Sequence, residues 1–110
     1  MEGIELVKIT VPKEDAYLVD EHVMTFADIV GKMTTLYAKK NHDYGNSFEK
    51  GMDTIGMAYG IGRLYDKMNR IITLTKTEAE VKEESIEDTL KDLACYTVMT
   101  LSYLKRKKNE

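Results

Sequence analysis

From Asp20 onward, apolar positions recur at three- and four-residue steps: Val23, Phe26, Ala27, Val30, Met33, Thr34 and Tyr37, with Ile29 and Leu36 widening the stripe. That period predicts an amphipathic helix from Asp20 to near Lys40. Turn-forming residues then concentrate in Asn41, His42, Asp43, Tyr44, Gly45, Asn46 and Ser47, which read as a loop. Asn46 or Ser47 is placed to cap a second helix carrying Phe48, Met52, Ile55 and Met57. Gly56, Gly60 and Gly62 loosen the chain and predict an interruption before a third helix takes over at about Ile61. The third helix is expected to bury Ile61, Leu64, Tyr65, Met68, Ile71 and Ile72 on one side. The charged stretch from Lys76 to Glu84 reads as a solvated linker. Ser85, Ile86, Glu87 and Asp88 have capping-box spacing and open a fourth helix that runs to about Lys107. At the start of the chain, Ile4, Leu6, Lys8 and Thr10 alternate with Glu5, Val7, Ile9 and Val11 as far as Pro12, the pattern of a lone strand or an extended arm. The expected fold is therefore all-α: a small helical bundle of about four helices over residues 20–110, preceded by an N-terminal arm over residues 1–19.

Composition narrows this further. The 110 residues suffice for one domain, and 43% hydrophobic with 32% charged residues and a formal charge of −3 is soluble globular composition. A chain this short buries a modest fraction of its surface, and its last helix is apolar on two opposite faces, so a homo-oligomer is expected. Cys95 is the only cysteine, which excludes an intramolecular disulfide and a cysteine-based metal cluster and fits a reducing compartment. The first residues lack the basic region and apolar run of a signal peptide, and no stretch reaches the roughly 20 apolar residues of a membrane span. A cytoplasmic location is expected, with no membrane partner. A sequence pI near 5.4 argues against duplex nucleic acid as a partner, and the run Lys105, Arg106, Lys107, Lys108 suits the negative end of a helix dipole.

Three groups of residues carry candidate chemistry. On the last helix, Ile86, Leu90, Leu93, Thr97, Leu101 and Leu104 line one face, while Asp88 and Asp92 lead into Cys95, Tyr96, Met99 and Tyr103 on the other. Carboxylates in an apolar stripe need a cation or a metal. The plainer alternative is that Asp88 caps its own helix and Asp92 meets a lysine. On the third helix, Arg63, Asp66 and Arg70 fall on one line with Lys67 beside them, either a solvated face of ion pairs or a cationic row suited to phosphate held with Mg²⁺. The segment His42, Asp43, Tyr44, Gly45, Asn46 clusters polar groups, with Tyr44 available to stack on a base. With His22 the only other histidine, a histidine-based zinc site is not expected, and Cys95 in mid-helix reads as inert packing.

Taken in order, His42-Asp43-Tyr44-Gly45, then Arg63-Leu64-Tyr65-Asp66-Lys67-Met68-Asn69-Arg70, then Glu84-Ser85-Ile86-Glu87-Asp88-Thr89-Leu90-Lys91-Asp92-Leu93-Ala94-Cys95-Tyr96 resembles the nucleotide modification associated domain type 1, a small phage and prophage family. The resemblance spans about residues 30–104 and implies a part in nucleotide metabolism or modification, in the host cytoplasm if a phage encodes it. More distantly, the chain is similar to the MazG and dimeric dUTPase type of all-α nucleotide pyrophosphohydrolases, which hold Mg²⁺ with acids from two neighbouring helices. That likeness implies Mg²⁺-dependent cleavage of a nucleoside triphosphate, with Asp66, Glu84, Asp88 and Asp92 as metal ligands and Asp66, Asp88 and Asp92 serving catalysis. Arg63, Lys67 and Arg70 would then bind phosphate, and His42, Asp43, Tyr44 and Asn46 would meet the base or sugar. The acidic set departs from that pattern, because Asp66 stands among cations and Asp88 and Asp92 are four apart rather than three. Two other classes compete: a module that captures a nucleotide without turning it over, and a structural oligomer whose charged row forms ion pairs between subunits.

Overall fold

The computed structural model describes residues 11–76 and 85–109, and all regular structure within them is helical. A 3₁₀ segment, Lys13–Leu18, precedes four α-helices: α1 Glu21–Tyr44, α2 Ser47–Ile55, α3 Met57–Lys76 and α4 Ile86–Lys108. The all-α expectation holds. The second half of the expected arm is thus the 3₁₀ segment, while the alternating stretch from Ile4 to Thr10 and most of the charged linker, Glu84 included, lie outside the described residues. Among the described residues no helix is long and apolar enough to cross a membrane.

The helix boundaries follow from local chemistry. Asp20 caps α1, its Oδ1 accepting from the amides of His22 and Val23 at 3.0 Å each. The helix continues past Lys40 to Tyr44, so His42, Asp43 and Tyr44 are helical rather than loop residues. Their weak propensities cost a growing helix only a fraction of a kcal/mol each, about 0.7 at most, which does not stop it. What stops it is Gly45 at φ 57°, whose amide returns to the Asn41 carbonyl at 3.0 Å. Asn46 follows at φ 61° and begins α2, but in this left-handed conformation its side chain makes no capping bond, contrary to expectation. The break between α2 and α3 falls at Gly56 alone, at φ 93° and ψ −163°. Gly60 and Gly62 lie inside α3, which therefore starts at Met57 rather than near Ile61. Ser85 caps α4, its hydroxyl accepting from the Asp88 amide at 3.0 Å.

The chain divides into two compact units, residues 1–36 and 37–110. In the first, α1 keeps Ala27, Val30 and Met33 half-buried and leaves Val23, Phe26 and Ile29 exposed. An Asp28–Lys32 ion pair at 3.0 Å stiffens its polar side.

The second unit is built on the antiparallel pair α3 and α4. Gly60 approaches Thr100 and Lys67 meets Asp92, so rising numbers on α3 meet falling numbers on α4. A Cβ at Gly60 would lie 3.1 Å from Met52 Sδ and 3.2 Å from Thr100 Oγ1, so a missing side chain lets three helices converge. At about 100° per residue, α3 then has three distinct faces. Gly60, Leu64, Lys67, Ile71 and Leu74, all at least half-buried, form the seam with α4. Tyr59, Arg63, Asp66 and Arg70 form one flank, and α2 covers its beginning: Phe48 stacks at 5.6 Å from Tyr59 and 5.9 Å from Tyr96. Ile61, Tyr65, Met68 and Ile72 form the opposite flank and are exposed, which corrects the expectation that they would be buried with Leu64 and Ile71. On α4 the seam uses Thr89, Asp92, Tyr96 and Thr100, while Leu90, Leu101 and Leu104 stay exposed. The buried apolar core among the described residues is Phe48 and Met52, of which Met52 is fully enclosed.

Candidate functional site

Two sets of charged contacts hold the second unit together, and they differ in kind. The first ties α2 to the end of α4. Arg106 meets Glu49 through both guanidinium branches, Nε to Oε1 at 3.3 Å and Nη2 to Oε2 at 3.0 Å, and Asp53 takes a 2.7 Å bond from the Tyr103 hydroxyl and lies 3.2 Å from Lys107 Nζ. The Tyr103 bond and then Lys107 hold the Asp53 carboxyl below its ordinary range. Each cation here faces its own acid. These are fastenings.

The second set lies at the seam, on the half of α3 and α4 beyond α2. Asp92 receives two ammonium groups: Lys67 Nζ at 3.2 Å on one oxygen and Lys40 Nζ, from the last turns of α1, at 3.9 Å on the other. Both Lys67 and Asp92 are partly buried. Among the described residues Lys40 and Lys67 share this one carboxylate, whereas Arg106 and Lys107 each face an acid of their own. Neighbouring Cys95 belongs to the same environment. Burial pushes its thiol pKa up, Asp92 adds to the rise, and Lys40 opposes it, a balance that disfavours the reactive thiolate.

The expected site residues separate accordingly. Lys67 and Asp92 are brought together, and Asp92 meets lysines, as the plainer alternative for it held. Arg63 lies on the α2 flank with its guanidinium 5.1 Å over the Tyr59 ring, and its bond to the Tyr59 hydroxyl raises its pKa. Asp66 is exposed and acts on Arg63 by charge alone, and Arg70 is half-buried on the same flank. Asp88 contributes its amide to the Ser85 cap and its carboxylate is exposed. His42 and Asp43 bond each other at 3.3 Å, and Tyr44 is 67% exposed. No hydrogen bond or ion pair among the described residues joins His42, Asp43, Tyr44 or Asn46 to Asp66, Asp88 or Asp92.

The residue that sequence reasoning missed is Lys40, which gives no periodic signal because it stands where the first helix was expected to end. The α2 fastenings were missed too, although a signal exists. Glu49 and Asp53 are four apart, as are Tyr103 and Lys107, the spacing with which two helices can meet along one line.

The sequence profile of the nucleotide modification associated domain 1 family matches residues 40–104, more than half of the chain. The chain belongs to this family. None of the curated proteins and none of the solved structures matches it. The matched span of nucleotide modification associated domain 1 begins at Lys40 and contains Lys67 and Asp92, so it takes in all three members of the seam cluster.

A Mg²⁺ ion was the expected cofactor, and of its expected ligands Glu84 lies outside the described residues while Asp92 is engaged by lysines. A hard divalent cation needs several oxygen ligands, and the Asp92 oxygens face two ammonium groups instead. Among the described residues no three histidine, cysteine, aspartate or glutamate side chains are placed to hold a metal ion.

Proposed function

We propose that this member of the nucleotide modification associated domain 1 family captures a nucleotide by its phosphates at the Lys40–Asp92–Lys67 cluster. The observation that carries the reading is the sharing of one half-buried carboxylate between two lysines from different helices. An oxyanion is the ligand that such a pair of ammonium groups complements, and partial burial strengthens the attraction relative to open solvent. Arg63 and Arg70, on the flank adjoining the seam, add planar donors for a second phosphate group, and the exposed Tyr44 ring, about one helical turn beyond Lys40, is offered for a base to stack on.

Capture without turnover is preferred to Mg²⁺-dependent pyrophosphohydrolysis because of Asp92. To ligate a metal it would have to give up Lys67. The two readings therefore predict opposite outcomes for Asp92→Asn. For capture, removing a negative charge next to the phosphate keeps or tightens binding. For a metal site, it abolishes both binding and turnover.

The test is a thermal-shift screen of nucleosides and their mono-, di- and triphosphates, with and without Mg²⁺. A ligand at 100 times its Kd raises stability by about 2.7 kcal/mol. The expected result is a shift that grows with phosphate number, is absent for nucleosides and persists with a chelator. No shift from any nucleotide would refute the reading and favour the ion pairs as structure alone.

A further inference from the structure

We propose that Tyr59 positions Arg63 as the group with which this chain tells linked phosphates from a single one, so that the ligand class is a nucleoside diphosphate or triphosphate. The inference rests on the phosphate-capture reading of Lys40, Lys67 and Asp92 and names what that site selects.

Arg63 precedes Lys67 by four residues, one turn of about 6 Å along α3. Across the seam Asp92 faces Lys67, and Tyr96, four residues further along α4, comes level with Arg63 and acts on its charge. Two cations at this spacing on one helix repel each other. Left to itself, the guanidinium would be free to swing into solvent. Tyr59 prevents that. It lies one turn before Arg63, on the side away from Lys67, with its ring centre 5.1 Å from the guanidinium carbon and its hydroxyl accepting from Nη2 at 3.4 Å. The ring face holds the plane of the guanidinium and the hydroxyl holds one edge. Tyr59 takes one N–H and, among the described residues, is the one hydrogen-bond partner of Arg63, so the fork keeps donors for a ligand.

Tyr59 can serve as a rest because α2 fixes it from behind. A Cβ at Gly51 would lie 2.5 Å from the Tyr59 ring, so α2 meets the ring with bare backbone, and Phe48 packs on it at 5.6 Å. Phe48 lies 5.9 Å from Tyr96 as well, which ties the rest to α4. The ordering of a long side chain is thereby incurred on folding rather than on binding. Held over Tyr59, the guanidinium is drawn toward the start of α3 and away from the Lys67 ammonium, so the two present separate points of positive charge. A lone phosphate meets the lysine pair. A second phosphate linked to the first reaches the guanidinium fork, which binds oxyanions through paired donors.

Isothermal titration of inorganic phosphate and of pyrophosphate into the full chain, in chelator, tests this without involving a base. The parent chain is expected to prefer pyrophosphate by about tenfold or more. Arg63→Met should remove most of that preference and leave phosphate affinity unchanged. Tyr59→Phe, which keeps the ring and loses the hydroxyl, should lower the preference about two- to fivefold, and Tyr59→Leu should lower it further. Lys105→Met removes an equal charge from the exposed last turn of α4 and should leave the preference as it was. A purely structural Tyr59 would instead lower stability, or both affinities together, and leave their ratio alone. A preference unchanged in either Arg63→Met or Tyr59→Phe would overturn the inference, while loss of phosphate binding in Lys67→Met would still uphold the site. Binding of neither anion, or binding that Lys67→Met does not weaken, would overturn the capture reading and this inference with it.

Discussion

Asp92 decides how the site is read, because the same carboxylate would be a metal ligand if it stood free and is a lysine anchor where it stands. Its influence reaches Cys95. Because burial chiefly, and Asp92 next, raise that thiol's pKa while Lys40 lowers it, Cys95 should react with iodoacetamide more slowly than free cysteine at pH 8. Asp92→Asn should speed the reaction and Lys40→Met should slow it, both measured by mass spectrometry on the folded chain. Equal rates in all three would separate Cys95 from the cluster. Glycine positions act on backbone and space instead. At Gly56, φ 93° with ψ −163° is a conformation that side chains disfavour, so Gly56→Ala should cost about 1–3 kcal/mol. A Cβ at Gly51 would come within 2.5 Å of the Tyr59 ring, which Phe48 and Arg63 hold in place, so Gly51→Ala should also cost about 1–3 kcal/mol. Chemical denaturation measures both, and unchanged midpoints would contradict the packing described.

At the scale of elements, the sequence showed helices clearly and their ends and inward faces poorly. The Ser85 cap and the start of α4 were legible because a hydroxyl three residues before its amide partner is a local device. Tyr44 was misplaced into a loop because polar residues near a helix end look alike whether they sit before or after the stop, and only the positive φ of Gly45 decides. On α3, periodicity found the apolar stripe but could not say that small and cationic residues, Gly60 and Lys67, would face the neighbouring helix. A seam selects for closeness and pairing as well as for apolarity. The fastening of α2 to α4 yields a further prediction. Asp53 stays ionised below the ordinary carboxylate pKa of 3.8, so its contribution is present above that pH and is lost as pH falls through the lower folded value. Asp53→Asn should therefore flatten the fall in stability below about pH 4 while leaving the slope near pH 7 alone, which acid titration of the melting temperature will show. An unchanged acid limb would mean that the Tyr103 and Lys107 contacts do not persist in solution.

For the molecule as a whole, the flanks of α3 differ in chemistry: Ile61, Tyr65, Met68 and Ile72 are exposed on one, and Arg63, Asp66 and Arg70 lie on the other. The candidate site was half legible. Lys67 and Asp92 stood out as charges on helices that must pack, but their partnership across the seam, and the arrival of Lys40 beside them, depend on how helices far apart in sequence are brought together. The central claim is that two lysines on one carboxylate make a phosphate site, and isothermal titration of a nucleoside triphosphate in chelator tests it directly. A charge-assisted bond to phosphate contributes roughly 1.5–3 kcal/mol, so Lys67→Met should weaken binding about tenfold or more. Asp92→Asn should bind at least as tightly as the parent chain. Binding that survives Lys67→Met unchanged, or that Asp92→Asn abolishes and only Mg²⁺ supports in the parent, would contradict the account.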